Sequence, residues 1–274
     1  MTSRSERTIK DFGNPGLIHG SLDEDYWTSD EMFRDHFRDA NPPILLDKVV
    51  VDVGSGSGRT IKMLSRYKPK ILYGIEPSSG FAALKYNVSG LPNVQLFNSK
   101  AQDFSLKIKA NIAVSLGVIH HIPDPVPALV NIKSNLKDGG LLIIWVYGHE
   151  NNEIYVKLQR VLRPILRAFP DATLNVISLG ATYLIDLYLW ISNCLFKSQL
   201  PMSVYLSKLF SKCGRTQKKY IVFDQLNPMH AKYYSKSEIT SLIDQTGFKV
   251  IEVFHRHSYS WTVIAENPTF KVLT

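Results

Sequence analysis

Val49-Val50-Val51-Asp52-Val53-Gly54-Ser55-Gly56-Ser57-Gly58-Arg59 is the stretch that decides the fold. Three β-branched residues run into an aspartate and a valine, and glycine then falls at every second position. The pattern predicts a buried strand over Val49–Val53, a tight turn over Gly54–Gly58 and a helix starting at Arg59. Glycine serves where the backbone takes a positive φ, or where a ligand must approach without a Cβ in the way. Such a turn aims backbone N–H groups and a helix N-terminus at one spot, which suits an anionic or carboxylate-bearing ligand. A dinucleotide fingerprint would need its third glycine at position 59, which is Arg59; a P-loop would need Gly-Lys-Ser/Thr, which does not follow. One helix and one strand later, Ile71–Ser78 (ILYGIEPS) is a second apolar strand closing on a carboxylate, Glu76. In a doubly wound sheet an acid at that place accepts hydrogen bonds from ribose hydroxyls. Together the two elements specify an adenosine-containing ligand and leave the chemistry open.

Strands over 94–98, 111–116 and 141–147 then alternate with helices over 79–86 and 125–136, which implies a parallel sheet with helices on both faces. Phe248–Phe254 and Tyr259–Ala265 are joined by only four residues, so they form an antiparallel hairpin. The expected fold class is α/β, a doubly wound Rossmann-like sheet of seven strands with an antiparallel last strand and a helical lid insertion. The expected division is an N-terminal cover segment (1–43), a core (44–148), a helical insertion (149–216) and the rest of the core (217–274). Ligands in such sheets bind at the carboxyl ends of the strands.

Four motifs mark this core: Val51–Gly58, Gly74–Ser78, Ser115–Asp124 (SLGVIHHIPD) and Leu136–Gly140 (LKDGG). Their order and spacing resemble the class I S-adenosylmethionine-dependent methyltransferases, over roughly residues 44–148 and again at 247–265. The subgroup they look like is the small-molecule type that includes the ubiquinone and menaquinone methyltransferases. The wording HRHSYSWTV, DQLNP and IHHIPDP is similar to bacterial members associated with surface-polysaccharide and secondary-metabolite genes. The resemblance implies S-adenosylmethionine as cofactor and S-adenosylhomocysteine as product. It implies a cofactor site of Asp52, Gly54, Ser55, Gly56, Gly58, Glu76, Pro77, Ser78, Ala101, Gln102 and Leu116. The methionine carboxylate would lie near Gly54–Gly58, the ribose on Glu76 and the adenine beside Ala101 and Gln102. Many relatives carry an aspartate in the loop after strand three; Lys100 stands there in this chain, with Asp103 close by.

His120 and His121 follow strand four, where the transferred methyl would point. A neutral imidazole is suited to remove a proton near pH 7, so the pair are the candidate catalytic residues. The competing reading is a structural hydrogen bond. Tyr26 and Trp27, with Phe33, would cover the cofactor or simply pack on the sheet. Tyr147, His230, Tyr233, Tyr234, Arg256, His257 and Tyr259 are the remaining candidates for contact with substrate. His255-Arg256-His257 has no third ligand at a fixed spacing, so no metal is expected. Asn41-Pro42-Pro43-Ile44 departs from the N/D-P-P-Y motif of amino-methylating DNA enzymes, because isoleucine cannot stack on a flipped base.

The chain has 274 residues, a net charge of +8 and two cysteines, Cys194 and Cys213, which provide no disulfide framework. The N-terminus shows no apolar signal segment, so a cytoplasmic protein is expected, with Met1–Ile9 expected to be mobile. Between His149 and Tyr220 ten basic residues face four acidic ones. Ala172–Phe196 has no Lys or Arg and could span a bilayer by length, but strands of one sheet on either side of it argue against a crossing. The insertion is therefore read as a lid or substrate subdomain, with peripheral membrane contact through 151–216 or a homodimer contact as alternatives. The expected function is methylation of a small molecule, an O-methylation of a sugar, lipid-linked or secondary-metabolite acceptor. Two alternatives stay open: a protein that binds S-adenosylmethionine without methylating, pericyclase-like or regulatory, and a nucleic-acid methyltransferase. A nucleic-acid partner is not expected.

Overall fold

A computed structural model describes residues 6, 8–10, 29–37, 42–166, 169–197, 200, 202–211, 213–226 and 230–269. β1 (Val49–Val53) is buried at all five positions. It lies between β2 (Ile71–Ile75) and β4 (Ala110–Leu116), parallel to both, so it needs no polar face. β3 (Val94–Phe97) pairs beyond β2, and β5 (Leu136–Tyr147) beyond β4. β6 (Lys249–Arg256) and β7 (Ser260–Glu266) close the sheet in the order β3-β2-β1-β4-β5-β7-β6, with β7 antiparallel to both neighbours. The seven-stranded sheet and its antiparallel last strand are as the sequence predicts. β5 starts five residues earlier than expected, because Leu136 pairs with Ala110 before the register shifts.

Alternate residues of β1 feed two cores, as the strand period demands. Val49, Val51 and Val53 pack with Ile144 and Val263 under α4 (Val126–Ser134) and α9 (Lys236–Gln245). Val50 packs on the other face with Val114 and Ile143, under α1 (Asp30–Phe37) and α2 (Arg59–Ser65). Ser29 caps α1 by accepting from the Met32 N–H (3.2 Å). Phe33 and Phe37 of α1 are fully buried and stack at 4.2 Å, so Phe33 belongs to the sheet core and not to a cofactor cover. Ser235 and Glu238 form the expected capping box at the start of α9.

After α3 (Phe81–Asn87) and α4 in the core, four helices stand between β5 and α9: α5 (Glu153–Leu166), α6 (Asp171–Phe196), α7 (Ser203–Phe210) and α8 (Arg215–Leu226). α8 lies along α6, where Lys218 pairs with Asp186 at 2.6 Å.

Candidate cofactor and acceptor site

The turn after β1 is held through its backbone groups. The Gly54 and Ser55 N–H groups both donate to the Ile75 carbonyl (2.8 and 2.9 Å), fixing the loop to the end of β2. Gly54 takes φ +84°, and a Cβ there would stand 2.2 Å from Val118 Cγ2. Gly56 takes φ +53° and a Cβ there would meet nothing within 4 Å, so the loop turns a bare, open backbone outward. Glu76 closes the arrangement: it accepts from the Gly56 N–H (2.8 Å) and from the Ser78 N–H (2.9 Å). Each carboxylate oxygen keeps acceptor capacity beyond these two bonds.

Asp52 and Ser55 do not line this cleft. Asp52 is 1% exposed beneath the loop, and its Oδ2 makes no hydrogen bond among the described residues. Burial pushes its carboxyl up to about 7, and the nearby Glu76 charge adds to the rise. The Ser55 hydroxyl turns inward to the Asp52 carbonyl (3.1 Å). Ser78 supports the turn after Glu76 by accepting from the Gly80 N–H (3.1 Å).

Beside Glu76 a cavity of about 410 Å³ is lined by Glu6, Ile9, Pro77, Asn98, Ser99, Lys100 and Asp103. Pro77 was expected here; Asn98 and Ser99 were missed, although both follow directly on the end of β3. Asn98 Nδ2 donates to the Glu76 carbonyl (2.9 Å). Glu6 and Ile9 of the N-terminal segment take part in this lining. Ala101 is buried, and its carbonyl accepts from Asn131 Nδ2 (3.1 Å), which anchors the loop carrying Gln102 to α4. Leu116 ends β4, and Gly117 behind it donates to the Trp145 carbonyl (3.1 Å).

These features fit the group that the glycine loop implies. An outward backbone at Gly56 and a carboxylate at Glu76 with spare acceptor capacity suit a carboxylate-bearing, ribose-bearing molecule. The cavity beside Pro77 and Asn98 is where the base would sit.

The acceptor end is built from rings. His120 is fully buried, with Tyr147 at 3.9 Å and His121 at 4.1 Å between centroids. His121 Nδ1 stands 2.8 Å from the His230 carbonyl. A carbonyl only accepts, so Nδ1 carries the proton and His121 anchors the 230–234 segment. The Lys232 N–H donates to the His120 carbonyl (2.9 Å), completing the join. Neither histidine is placed as a solvent-facing base. Tyr233 stacks on Tyr147 at 5.2 Å, and both rings are partly exposed. Gln225, part of the DQLNP stretch but not among the expected site residues, links them: its Nε2 donates to the Tyr147 hydroxyl (2.7 Å), while its Oε1 accepts from Tyr155 (3.0 Å) and Tyr233 (3.4 Å).

Other expected substrate contacts go elsewhere. Tyr26 and Trp27 lie outside the described residues. Tyr234 is 2% exposed in the core, its backbone bridges to Gly148, and burial pushes its hydroxyl up to about 12. Arg256 and His257 both pair with Asp35 of α1, His257 at 2.8 Å, so they clamp the closing hairpin to the N-terminal helix. The Tyr259 carbonyl accepts from the Gly148 N–H (3.1 Å) and Asn152 Nδ2 (2.8 Å). Among the described residues no group of three His, Cys, Asp or Glu is arranged to hold a metal.

Residues 51–142 match the family model of a methyltransferase domain. Among curated relatives, the tRNA U34 carboxymethyltransferase of Ruthia magnifica is 34% identical over 104 residues, which cover 36% of this chain and 33% of that protein. The tRNA U34 carboxymethyltransferase of Colwellia psychrerythraea is 28% identical over 177 residues, 58% of this chain and 53% of that one. The chain thus spans a third to about half the length of these relatives. A methyltransferase of Aquifex aeolicus superposes with a TM-score of 0.51 at 16% identity, over 97% of this chain and 99% of that one. An O-methyltransferase family protein of Burkholderia thailandensis does so with 0.54 at 11%, over 88% and 57%. Residues 51–142 thus carry a methyltransferase domain, in the fold of the class I S-adenosylmethionine-dependent methyltransferases. The resemblance to the small-molecule subgroup is not supported, and the expectation of a small-molecule acceptor with no nucleic-acid partner is corrected: the curated relatives are named for action on tRNA.

Proposed function

We propose that the protein transfers a methyl or carboxymethyl group from an S-adenosylmethionine-type donor to a nucleotide of tRNA. The similarity of about a third of the chain to proteins named for modifying U34 of tRNA carries this reading. Two features of the chain agree with it. The partly exposed Tyr147–Tyr233 stack at the end of β5 offers a flat aromatic face to a base taken out of its stack. The net charge of +8 favours a polyanion. A tRNA acceptor would be met in the cytoplasm.

Bound in the cleft, the donor supplies an electrophilic carbon on a sulfonium. Gly54, Gly56, Gly58 and Glu76 would hold and orient it, and the cavity around Pro77 and Asn98 would take its base. Tyr147 and Tyr233 would align the acceptor for in-line displacement, and alignment of this kind is worth up to about 7–11 kcal/mol. His120 and His121 brace this wall from behind.

The test is incubation of the purified chain with bulk tRNA and either isotope-labelled S-adenosylmethionine or its carboxylated analogue, whose sulfonium bears a carboxymethyl group, followed by nucleoside mass spectrometry, which separates a methyl from a carboxymethyl product. Label in a tRNA nucleoside, lost with Glu76→Ala, is expected. A chain that binds S-adenosylhomocysteine but neither labels nor retains tRNA would sink the reading.

A further inference from the structure

Helix α6 is turned inside out. Leu174, Ser178, Thr182 and Ser192 share one side of the helix and are each at most 1% exposed. On the opposite side Val176 is 70%, Leu184 68% and Trp190 62% exposed. The one described acid of the helix with a placed side chain, Asp186, is neutralised by Lys218 (2.6 Å) and Arg215 (3.5 Å) of α8. A helix facing water does the reverse, with aliphatic residues inside and polar ones out. Small and polar residues at helix contacts, with aliphatics outward, are the arrangement found where the surroundings are hydrocarbon.

Helix α5 repeats the pattern. Gln159 is buried, whereas Leu158, Val161 and Ile165 are exposed beside exposed Lys157 and Arg160. Large aliphatic side chains turned outward on both helices fit a partner that takes apolar groups. Nucleic acid does not cover it, because RNA binds cations and stacks on isolated aromatics but leaves aliphatic chains in water. A second copy would bring two basic rims together, since residues 149–220 carry ten basic side chains against four acidic ones.

α6 has 26 residues, enough to cross a bilayer. It does not cross one, because β5 before it and β7 after it are paired in a single sheet. What remains is a helix lying in the plane of an interface.

We infer that the outward face of α5 and α6 docks on an anionic lipid surface. Leu184, Leu187 and Trp190 enter the acyl boundary, and Lys157, Arg160 and Lys197 meet the headgroups. This rests on the insertion alone and stands or falls apart from the tRNA reading.

Flotation of the full chain with vesicles tests it. The chain floats with phosphatidylcholine–phosphatidylglycerol vesicles, and at least ~tenfold more weakly with phosphatidylcholine alone or at high salt. Leu184→Asp with Leu187→Asp cuts flotation at least ~tenfold, the cost of charges at the acyl boundary, and leaves the melting temperature and S-adenosylhomocysteine affinity unchanged. Bromine-labelled lipids quench the wild-type fluorescence more than that of Trp190→Phe. Failure of the wild-type chain to float on anionic vesicles overturns the inference. So does flotation that the aspartate pair leaves intact, or a wild-type dimer in light scattering that the pair splits while vesicle binding is absent.

Discussion

The donor end and the acceptor end of the cleft are made differently. At the donor end the loop contributes backbone N–H groups: Gly54 and Ser55 on the Ile75 carbonyl, Gly56 on the Glu76 carboxylate. The partners lie 20 or so residues apart, within one strand–helix–strand unit. At the acceptor end the contacts are side chains from remote parts of the chain, as in the His121–His230 bond across 109 residues and the Gln225–Tyr147 bond across 78. A backbone-built site tolerates almost any side chain that leaves its turns free and fails abruptly when one does not. A side-chain-built site should degrade piece by piece.

Gly54→Ala is the sharpest way to break that contrast. The new methyl would overlap Val118 Cγ2 at 2.2 Å, at a φ of +84°. Overpacking and left-handed strain together cost about 4 kcal/mol. Calorimetry with S-adenosylhomocysteine should show binding lost at any accessible concentration, with a lower melting temperature. Gly56→Ala, which meets nothing within 4 Å, should cost about 1 kcal/mol of fold stability and weaken binding through obstruction of the open backbone. Equal effects of the two would mean that the packing behind the loop does not set the site.

Next in size is the clamp on α1. Arg256 is 7% exposed and pairs with Asp35, so Arg256→Ala leaves a largely buried carboxylate without its guanidinium, a loss of about 3 kcal/mol. Thermal or urea unfolding should register it. If Arg256 instead touched substrate, stability would hold and KM alone would rise.

The contrast also explains what was readable. β1, the glycine turn and Glu76 are local patterns: burial on both faces dictates a run of valine, and turn geometry dictates glycine. The capping box at Ser235 and Glu238 is local for the same reason. Arg256 and Asp35 are 221 residues apart, and nothing in HRHSYSWTV shows that an acid on the N-terminal helix will meet it. Tyr234 reads like Tyr233, yet one is core and the other a partly exposed ring; only the bridge to Gly148 separates them. Asn98 was within reach, since it directly follows β3 at the edge where ligands bind. The acceptor was misjudged because the motifs that name the cofactor carry no information about the opposite wall.

Gln225→Ala addresses that wall directly. It removes the amide shared by Tyr147, Tyr155 and Tyr233 and leaves every donor-end contact in place. Labelling of tRNA should fall about tenfold, the effect of losing one or two hydrogen bonds worth about 1 kcal/mol each. S-adenosylhomocysteine affinity should stay within twofold. A matching loss of cofactor affinity would show the two ends to be one unit.

The smallest effect is also the one that tests both ends at once, because each hides a titratable group of opposite sign. Asp52, under the glycine loop, is raised by burial from 3.8 to about 7. His36, edge-on to Trp145 near the acceptor wall, is lowered from 6.5 to about 3 by burial and by the Arg256 charge. Between about pH 4 and 6.5 the folded chain holds a proton on Asp52 that the unfolded chain has lost, so this group's contribution falls as pH rises. Over the same range the unfolded chain holds a proton on His36 that the folded chain refuses, so that contribution falls as pH drops. The two slopes oppose each other and largely cancel in the wild-type chain. Asp52→Asn should uncover the histidine slope, with urea-unfolding stability rising by about 1 kcal/mol per pH unit between pH 4.5 and 6. His36→Asn should uncover the reverse slope. Parallel pH profiles for both variants would mean that neither group keeps its buried state, and that the two ends are less tightly closed than their packing implies.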